Sequence, residues 1–474
     1  MKQKKSIQLN LFSKEAVTII NDVKLPRDLD KMDTDKKYDL LNKIDWDFKG
    51  ANTQYLSHNF HPYPARFIPQ IPNVFIRVFT KEGETVVDPF CGCGTTLLES
   101  MIHRRKSIGN DLNPLASLIS RAKTRILEDD EIILLKNKLK QVERYVKSDR
   151  RKPEYIKKLP KRNISNLFNR EIVNEISLIR EGFEEIKHES IAAYELSLVA
   201  LSATIWTFVE NGKNGTPINF FDFFSKKLNN MITTIKKLRQ IAEKSFTSVV
   251  IEGDARVLDI KSKSVSLIVT SPPYVNALDY YRVHMYNMLW LGIDYLKFKK
   301  HEIGGHSHFI NNRFRLLTEY LADMLRSMIE MNRILKNGGH CVIVVGNSSI
   351  EYELIESYKH FINFAPHTGF KLVSTYFRNI DVTRKYTSKD VGKINDEYIV
   401  LLRKTSDISV KSTNDKFVEE IVTNEMLKFK ERVEKVQGTS LRGRKVSAER
   451  LKKNIDKVNE AISHIKEDIK IKEW

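Results

Sequence analysis

Asp88-Pro89-Phe90-Cys91-Gly92-Cys93-Gly94-Thr95-Thr96 is the stretch that decides the fold. It follows the apolar run Thr85-Val86-Val87 and leads into a helical pattern that extends to His103, so a strand passes through a glycine-rich turn into a helix. Ser107-Ile108-Gly109-Asn110-Asp111 then reads as a second strand ending on an acid. Strand, turn, helix and strand open a βαβ unit, and nucleotide-like ligands bind at the carboxyl ends of such strands. Gly92 and Gly94 let the backbone approach a ligand with no Cβ in the way, and the helix start at Thr95 offers unpaired N–H groups to a carboxylate or phosphate. Dinucleotide-binding proteins share the Gly-X-Gly turn, but Leu97 stands where their third glycine belongs. Asp111 has two readings: an acceptor for both hydroxyls of a ribose, or an acidic N-cap for a helix opening at Asn113-Pro114.

Outward from this unit, the α/β rhythm breaks between 117 and 245. Ile132, Leu135, Leu139 and Val142 recur at helical spacing, as do Ile172, Ile176 and Ile179, which predicts a mainly helical insertion. The rhythm resumes at Val249-Val250-Ile251 and Leu267-Ile268-Val269. A long amphipathic helix from Leu316 to Leu335 is expected to stop at Asn337-Gly338-Gly339, ahead of a strand from Cys341 to Val345. Strands near Leu372 and Ile399 complete the sheet. The α/β core is therefore discontinuous, 58–116 and 246–405. It is preceded by a polar arm, 1–57, and followed by a charged helical segment, 406–474.

Thr270-Ser271-Pro272-Pro273-Tyr274 follows the strand at Leu267 to Val269, so two prolines fix an extended turn at the carboxyl end of a sheet strand. Prolines lack N–H groups. The turn thus presents carbonyls and the Ser271 hydroxyl to an amine donor, with the flat ring of Tyr274 available to stack on a base. An ordinary Pro-Pro turn is the bland alternative.

Taken together, these motifs resemble the DNA amino-methyltransferases, which modify N4 of cytosine or N6 of adenine. The Ser-Pro-Pro-Tyr form is similar to the cytosine-N4 branch, adenine enzymes usually having Asp or Asn at the Ser271 position. The resemblance implies an α/β, Rossmann-like sheet with S-adenosylmethionine as cofactor. On the cofactor side it implicates Asp88, Phe90, Gly92, Gly94, Thr95 and Asp111. It adds Asp254 and Ala255 in Gly253-Asp254-Ala255-Arg256, and Arg66 and Phe67 in His61-Pro62-Tyr63-Pro64-Ala65-Arg66-Phe67, where many members have Lys at the Arg66 position. Ser271, Pro272, Pro273 and Tyr274 are the implied catalytic residues. Double-stranded DNA is the implied partner, together with a cognate restriction endonuclease. The base would be flipped from its stack for direct transfer, with no cysteine nucleophile. Adenine-N6 methylation, RNA base methylation and a catalytically silent DNA-binding subunit are the rival readings.

Bulk properties agree without deciding. Lys and Arg number 79 against 60 Asp and Glu, a net +19 that favours a polyanionic partner. The insertion, 117–245, is the candidate for target recognition, especially the basic run Lys147 to Arg162, although such runs are more often solvated faces. Three cysteines, Cys91, Cys93 and Cys341, suit a reducing cytoplasm; Cys91 and Cys93 lack zinc spacing, so no metal is expected. His58 and His61 read as packing groups. The apolar stretch from Ile191 to Val209 carries Glu195 between polar flanks and reads as a buried helix rather than a membrane span.

Overall fold

Alternation of apolar side chains along each strand dictates a sheet covered on both faces. The computed structural model describes residues 23–26, 28–148, 153–154, 168–211, 219–305, 309–380, 396–408, 414–435 and 447–470. Its strands are β1 (Thr85–Asp88), β2 (Lys106–Asp111), β3 (Val249–Glu252), β4 (Val265–Thr270), β5 (Leu335–Gly346), the short hairpin β6 (Ser348–Ile350) and β7 (Glu353–Ile355), β8 (Phe370–Asn379) and β9 (Asp396–Lys404). Seven of them form one sheet in the order β3-β2-β1-β4-β5-β9-β8, parallel through β5 and antiparallel at β9 and β8. The chain builds outward from β1 to β3 and then returns to place β4 on the other side of β1. The crevice at this reversal, above the ends of β1 and β4, is where an open α/β sheet accepts a ligand.

The helices are α1 (Thr34–Asn42), α2 (Gln70–Phe79), α3 (Thr95–Ile102), α4 (Pro114–Lys123), α5 (Asp129–Ser148), α6 (Arg170–Glu184), α7 (Ile191–Asn211) and α8 (Phe220–Ile241). After β4 come α9 (Tyr280–Val283), α10 (Met285–Leu291), α11 (Tyr295–His301), α12 (Arg313–Ile334) and α13 (Ser357–Phe364), and after β9 come α14 (Asp415–Lys435), α15 (Ala448–Ser463) and α16 (Ile465–Asp468). Val86, Leu267, Val269, Val342 and Val344 point to the face covered by α1 and α2, whereas Val87, Ile268, Ile343 and Val345 point to the face covered by α12 and the last helices. Period-two alternation sends neighbours to opposite faces, and each such buried side chain contributes about 1.5–3 kcal/mol. In a third cluster α4 packs with α5 to α8.

Three expectations change. The lead-in is not a free arm from Val23 onward: Leu41 is fully buried, and Trp46 stacks on Phe75 at 5.1 Å and on Tyr376 at 4.9 Å, so a few apolar anchors dock an otherwise polar segment. The charged tail likewise hides an apolar stripe, Val418, Val422, Met426, Phe429 and Val433, packed with α12, while Arg315 and Arg326 bind Asp468 and Asp415. Finally, α12 ends at Ile334, one residue short of the expected Leu335, but β5 begins at once rather than at Cys341, so the glycines lie inside the strand. Leu335 is already extended and paired with Val265, and Gly338, at φ +74°, turns the chain within β5. Pairing of the buried Leu335 with Val265 carries the strand back through the glycines.

The helix Ile191–Asn211 is long and apolar enough by composition to cross a membrane, yet 83% of its apolar span is buried inside the protein. Most of Lys147 to Arg162 lies outside the described residues.

Candidate active site

The turn after β1 is held by its own backbone. Cys91 N–H donates to the Asn110 carbonyl at 2.9 Å, Gly94 N–H to the Cys91 carbonyl at 2.7 Å, and the Ser120 hydroxyl to the Gly92 carbonyl at 2.7 Å. Gly92 and Gly94 have φ of +49° and +75°, the left-handed region where glycine is nearly free of strain. Asp111, ending β2, accepts the Gly92 N–H on Oδ2 at 2.7 Å and the Asn113 N–H on Oδ1 at 2.8 Å. The N-cap of α4 is Asn113, whose side chain accepts from Leu115 and Ala116 N–H. The capping role that the sequence left open for Asp111 therefore falls to its neighbour.

These residues line a cleft with about 800 Å³ of empty volume, its open mouth included. Arg66, Phe67, Phe90, Gly92, Thr95, Asp111, Asp254, Ala255, Ser271 and Pro273 all face it, so ten of the fourteen residues singled out from sequence converge on one site. The other four do not line it. Gly94 packs against Ser120, and Pro272 is buried. Asp88 sits beneath the turn, where Oδ1 accepts the Thr270 hydroxyl at 2.6 Å and the Phe90 N–H at 3.2 Å, tying β1 to β4. Tyr274 donates its hydroxyl to Glu397 on β9 at 3.1 Å, and Glu397 is paired with Arg378 on β8. Asp254 faces the cleft, but Arg256 grips its carboxylate at 2.6 Å. Arg66 donates to the His58 carbonyl.

Tyr63, within the quoted His61–Phe67 segment, and Tyr280 were not singled out from sequence, and Phe298 and Glu302 were missed, yet all four line the cleft. Tyr63 stacks on His284 at 4.7 Å and on Tyr280 at 6.0 Å. Behind this aromatic wall His61 lies 2.9 Å from the Ser202 hydroxyl, and Asn287 donates to Ser202, fixing α7 of the insertion to the cleft. His58 lies 2.8 Å from Glu99, and burial holds the imidazoles of His58 and His61 well below their ordinary pKa, so both are neutral hydrogen-bonding groups. Glu302 accepts the Tyr280 N–H at 2.5 Å. Among the described residues no group of three or more His, Cys, Asp or Glu could hold a metal ion.

Burial dominates the electrostatics. It pushes the carboxyls up from the usual range, Asp88 to about 7, Asp111 to about 6 and Glu302 to about 8. Among the described residues no Lys or Arg forms an ion pair with any of the three. The cleft and the ground beneath it are thus poised to gain negative charge when a cation enters.

A model of the N6/N4 DNA methylase family matches residues 3–122 and 265–467, which brings the N-terminal lead-in and the C-terminal helices inside the family's extent and leaves most of the helical insertion and Asp254 outside it. The Type II methyltransferase M.MjaII of Methanocaldococcus jannaschii is 24% identical over 423 residues, covering 69% of this chain and 77% of that protein. The Type II methyltransferase M.MvaI of Kocuria varians is 26% identical over 252 residues, covering 48% of this chain and 55% of that protein. A SAM-dependent methyltransferase structure from Methanosarcina mazei aligns over 70% of this chain and 98% of its own, at 9% identity and a TM-score of 0.29. With the family model matched on both sides of the insertion, the chain belongs to the N6/N4 DNA methylase family.

Proposed function

We propose that the chain methylates N4 of cytosine in double-stranded DNA and serves as the modification enzyme of a restriction-modification system beside a cognate endonuclease. One observation carries the reading: Ser271 and Pro273 open onto the same cleft as Arg66, Gly92 and Asp111, at the reversal point of the sheet. The Type II names of the two relatives support the biological setting.

S-adenosylmethionine is the cofactor, and the residues present fit it. The cleft has the volume of a small-ligand site, a carboxylate suited to ribose hydroxyls ends β2, and Phe90, Pro89 and Ile303 offer apolar walls. Arg66 and the N-terminus of α3 supply positive charge for a carboxylate. When bound, the cofactor supplies an electrophilic sulfonium methyl group. Ser271 and the Pro272 carbonyl accept hydrogen bonds from the exocyclic amine and turn its lone pair towards the methyl side. Two prolines in succession leave no N–H there to compete for the acceptors. Tyr274, its hydroxyl tied to Glu397, provides a fixed ring for the flipped base. Ser271 orients rather than deprotonates, because a hydroxyl is too weak a base near neutral pH, and the amine's proton leaves to water.

Incubating the protein and S-adenosylmethionine with unmethylated DNA, and separately with tRNA, followed by nucleoside mass spectrometry, is expected to give N4-methylcytosine in DNA. N6-methyladenine would reassign the base, and a product confined to tRNA would overturn the DNA reading. Ser271→Ala is expected to lower kcat about 10- to 100-fold with unchanged cofactor affinity, the cost of one or two lost hydrogen bonds.

The raised carboxyls set a pH dependence. A carboxyl whose folded pKa is raised keeps its proton where the unfolded chain has lost it, so stability declines as pH rises from the unfolded value to the folded one. The ligand-free protein is therefore expected to melt at falling temperatures from about pH 5 to about pH 8. The increment conferred by the cationic cofactor should be larger at the upper end of that window. Thermal melts with and without S-adenosylmethionine check both; an increment independent of pH would show that the carboxyls do not respond to the ligand.

A further inference from the structure

Lys123 is the last residue of α4, and its side chain is enclosed, 1% exposed. Among the described residues its Nζ has no hydrogen-bond partner and no acid pairs with it. Glu99, the buried acid of α3, instead accepts the Tyr55 hydroxyl at 2.6 Å and the Asn73 amide at 2.9 Å, and lies 2.8 Å from His58. A cation in the last turn of a helix gains from the helix dipole, but that gain is small against the cost of burying an unpaired ammonium. A lysine closing its helix would also hydrogen-bond a terminal carbonyl, which the Lys123 ammonium does not. The surroundings point to the cleft. Ser120, one turn before Lys123, holds the Gly92 carbonyl and packs against Gly94. Burial pushes the Lys123 ammonium below its ordinary pKa; the Cys93 thiol opposes that shift and the Arg66 guanidinium adds to it. Both of these neighbours line the cleft, and Cys93 Sγ lies 4.0 Å from the hydroxyl of Thr95, the first residue of α3. No side chain caps that helix start, so its first N–H groups remain open to a ligand. Arg66 donates to the His58 carbonyl and, among the described residues, pairs with no acid.

We propose that Lys123, together with Arg66, is the counter-charge for the carboxylate of the cofactor's methionine part. This rests on the reading of the cleft as an S-adenosylmethionine site. Lys123 does not line the cleft, so it acts as a positioning charge from beneath Cys93, while Arg66 stands in the wall. Two neighbouring cations without an acid repel each other in the empty site, and an entering carboxylate relieves both at once. The charges then select for a cofactor with its amino-acid end intact. Residue 123 falls outside the segments that the family model matches, 3–122 and 265–467, so this part of the site belongs to the chain's own extension of the family core.

The test is titration calorimetry on the full chain with two ligands, S-adenosylmethionine and its decarboxylated form, which share the sulfonium and the adenosine and differ in the carboxylate. Wild-type protein is expected to bind the carboxylated ligand at least about tenfold more tightly, as charge-assisted contacts require. Lys123→Met should weaken S-adenosylmethionine binding by about 10- to 100-fold and leave the decarboxylated ligand within about twofold of wild type. Arg66→Gln, at a half-buried position that tolerates substitution more readily, should erode the same preference. Wild-type protein with equal affinity for the two ligands overturns the proposal without recourse to any variant. Lys123→Met that weakens both ligands alike also overturns it, because the ammonium would then serve the Cys93 turn rather than a carboxylate. So does a Lys123→Met protein that keeps the wild-type preference while Arg66→Gln loses it. Wild-type protein that binds neither ligand overturns the cofactor reading on which the proposal rests.

Discussion

Asp111→Asn is expected to weaken S-adenosylmethionine binding by about 10²- to 10⁴-fold, the equivalent of losing two charge-assisted hydrogen bonds. The carboxylate accepts the Gly92 and Asn113 N–H groups on different oxygens, at 2.7 and 2.8 Å. A carboxamide has one acceptor oxygen, so its NH2 would face one of these donors and leave it unsatisfied in a buried site. The turn that shapes the cleft would loosen at the moment the ribose loses its acceptor. Titration calorimetry measures the change directly. A loss below about fivefold would mean that Asp111 braces the turn without touching the cofactor, because one hydrogen bond to a charged group is worth more than that.

Gly94→Ala is expected to destabilise the protein by about 2–5 kcal/mol and to abolish cofactor binding. A Cβ there would lie 2.8 Å from the Ser120 hydroxyl and 3.1 Å from Ser120 Cα, and φ is +75°. The left-handed conformation costs an alanine about 1–2 kcal/mol, and overpacking adds about 1–3 kcal/mol. Ser120 cannot retreat, because it is part of the buried helix α4 and its hydroxyl holds the Gly92 carbonyl. Gly83 supplies an internal comparison: its φ is +80°, but nothing lies within 4 Å of its Cβ position, so Gly83→Ala should cost the conformational part alone. Equal losses in equilibrium denaturation of the two variants would remove steric crowding from the account.

The parts of the fold set by local chemistry were legible in the sequence. Val86 and Val87 alternate between faces, the glycine turn follows, and the proline pair marks the end of β4, so each strand that carries the site announced itself. What the sequence concealed depends on tertiary contacts. The polar surroundings of Leu41 and Trp46 gave no sign that the lead-in docks on the sheet, and β5 starts at Leu335, paired with Val265, rather than beyond Gly338. Tyr63, Tyr280 and Glu302 join the site only because segments more than 200 residues apart along the chain, Tyr63 on one side and Tyr280 on the other, meet over the β2 end. Asp88 taught the converse lesson. It stands at the head of the motif, yet the structure uses it as a brace between β1 and β4 behind the cleft.

The apolar stripe of α14 and the caps that Asp415 and Asp468 place on Arg326 and Arg315 have a consequence for birth on the ribosome. The buried flank of α12 waits for the elements translated after all the other described parts. From Ile334 to Asp468 a ribosome needs on the order of ten seconds. For that interval the nascent chain holds its turn and its Pro-Pro motif beside an uncovered hydrophobic helix, a natural client for chaperones, and the enzyme's first turnover should await synthesis through Asp468.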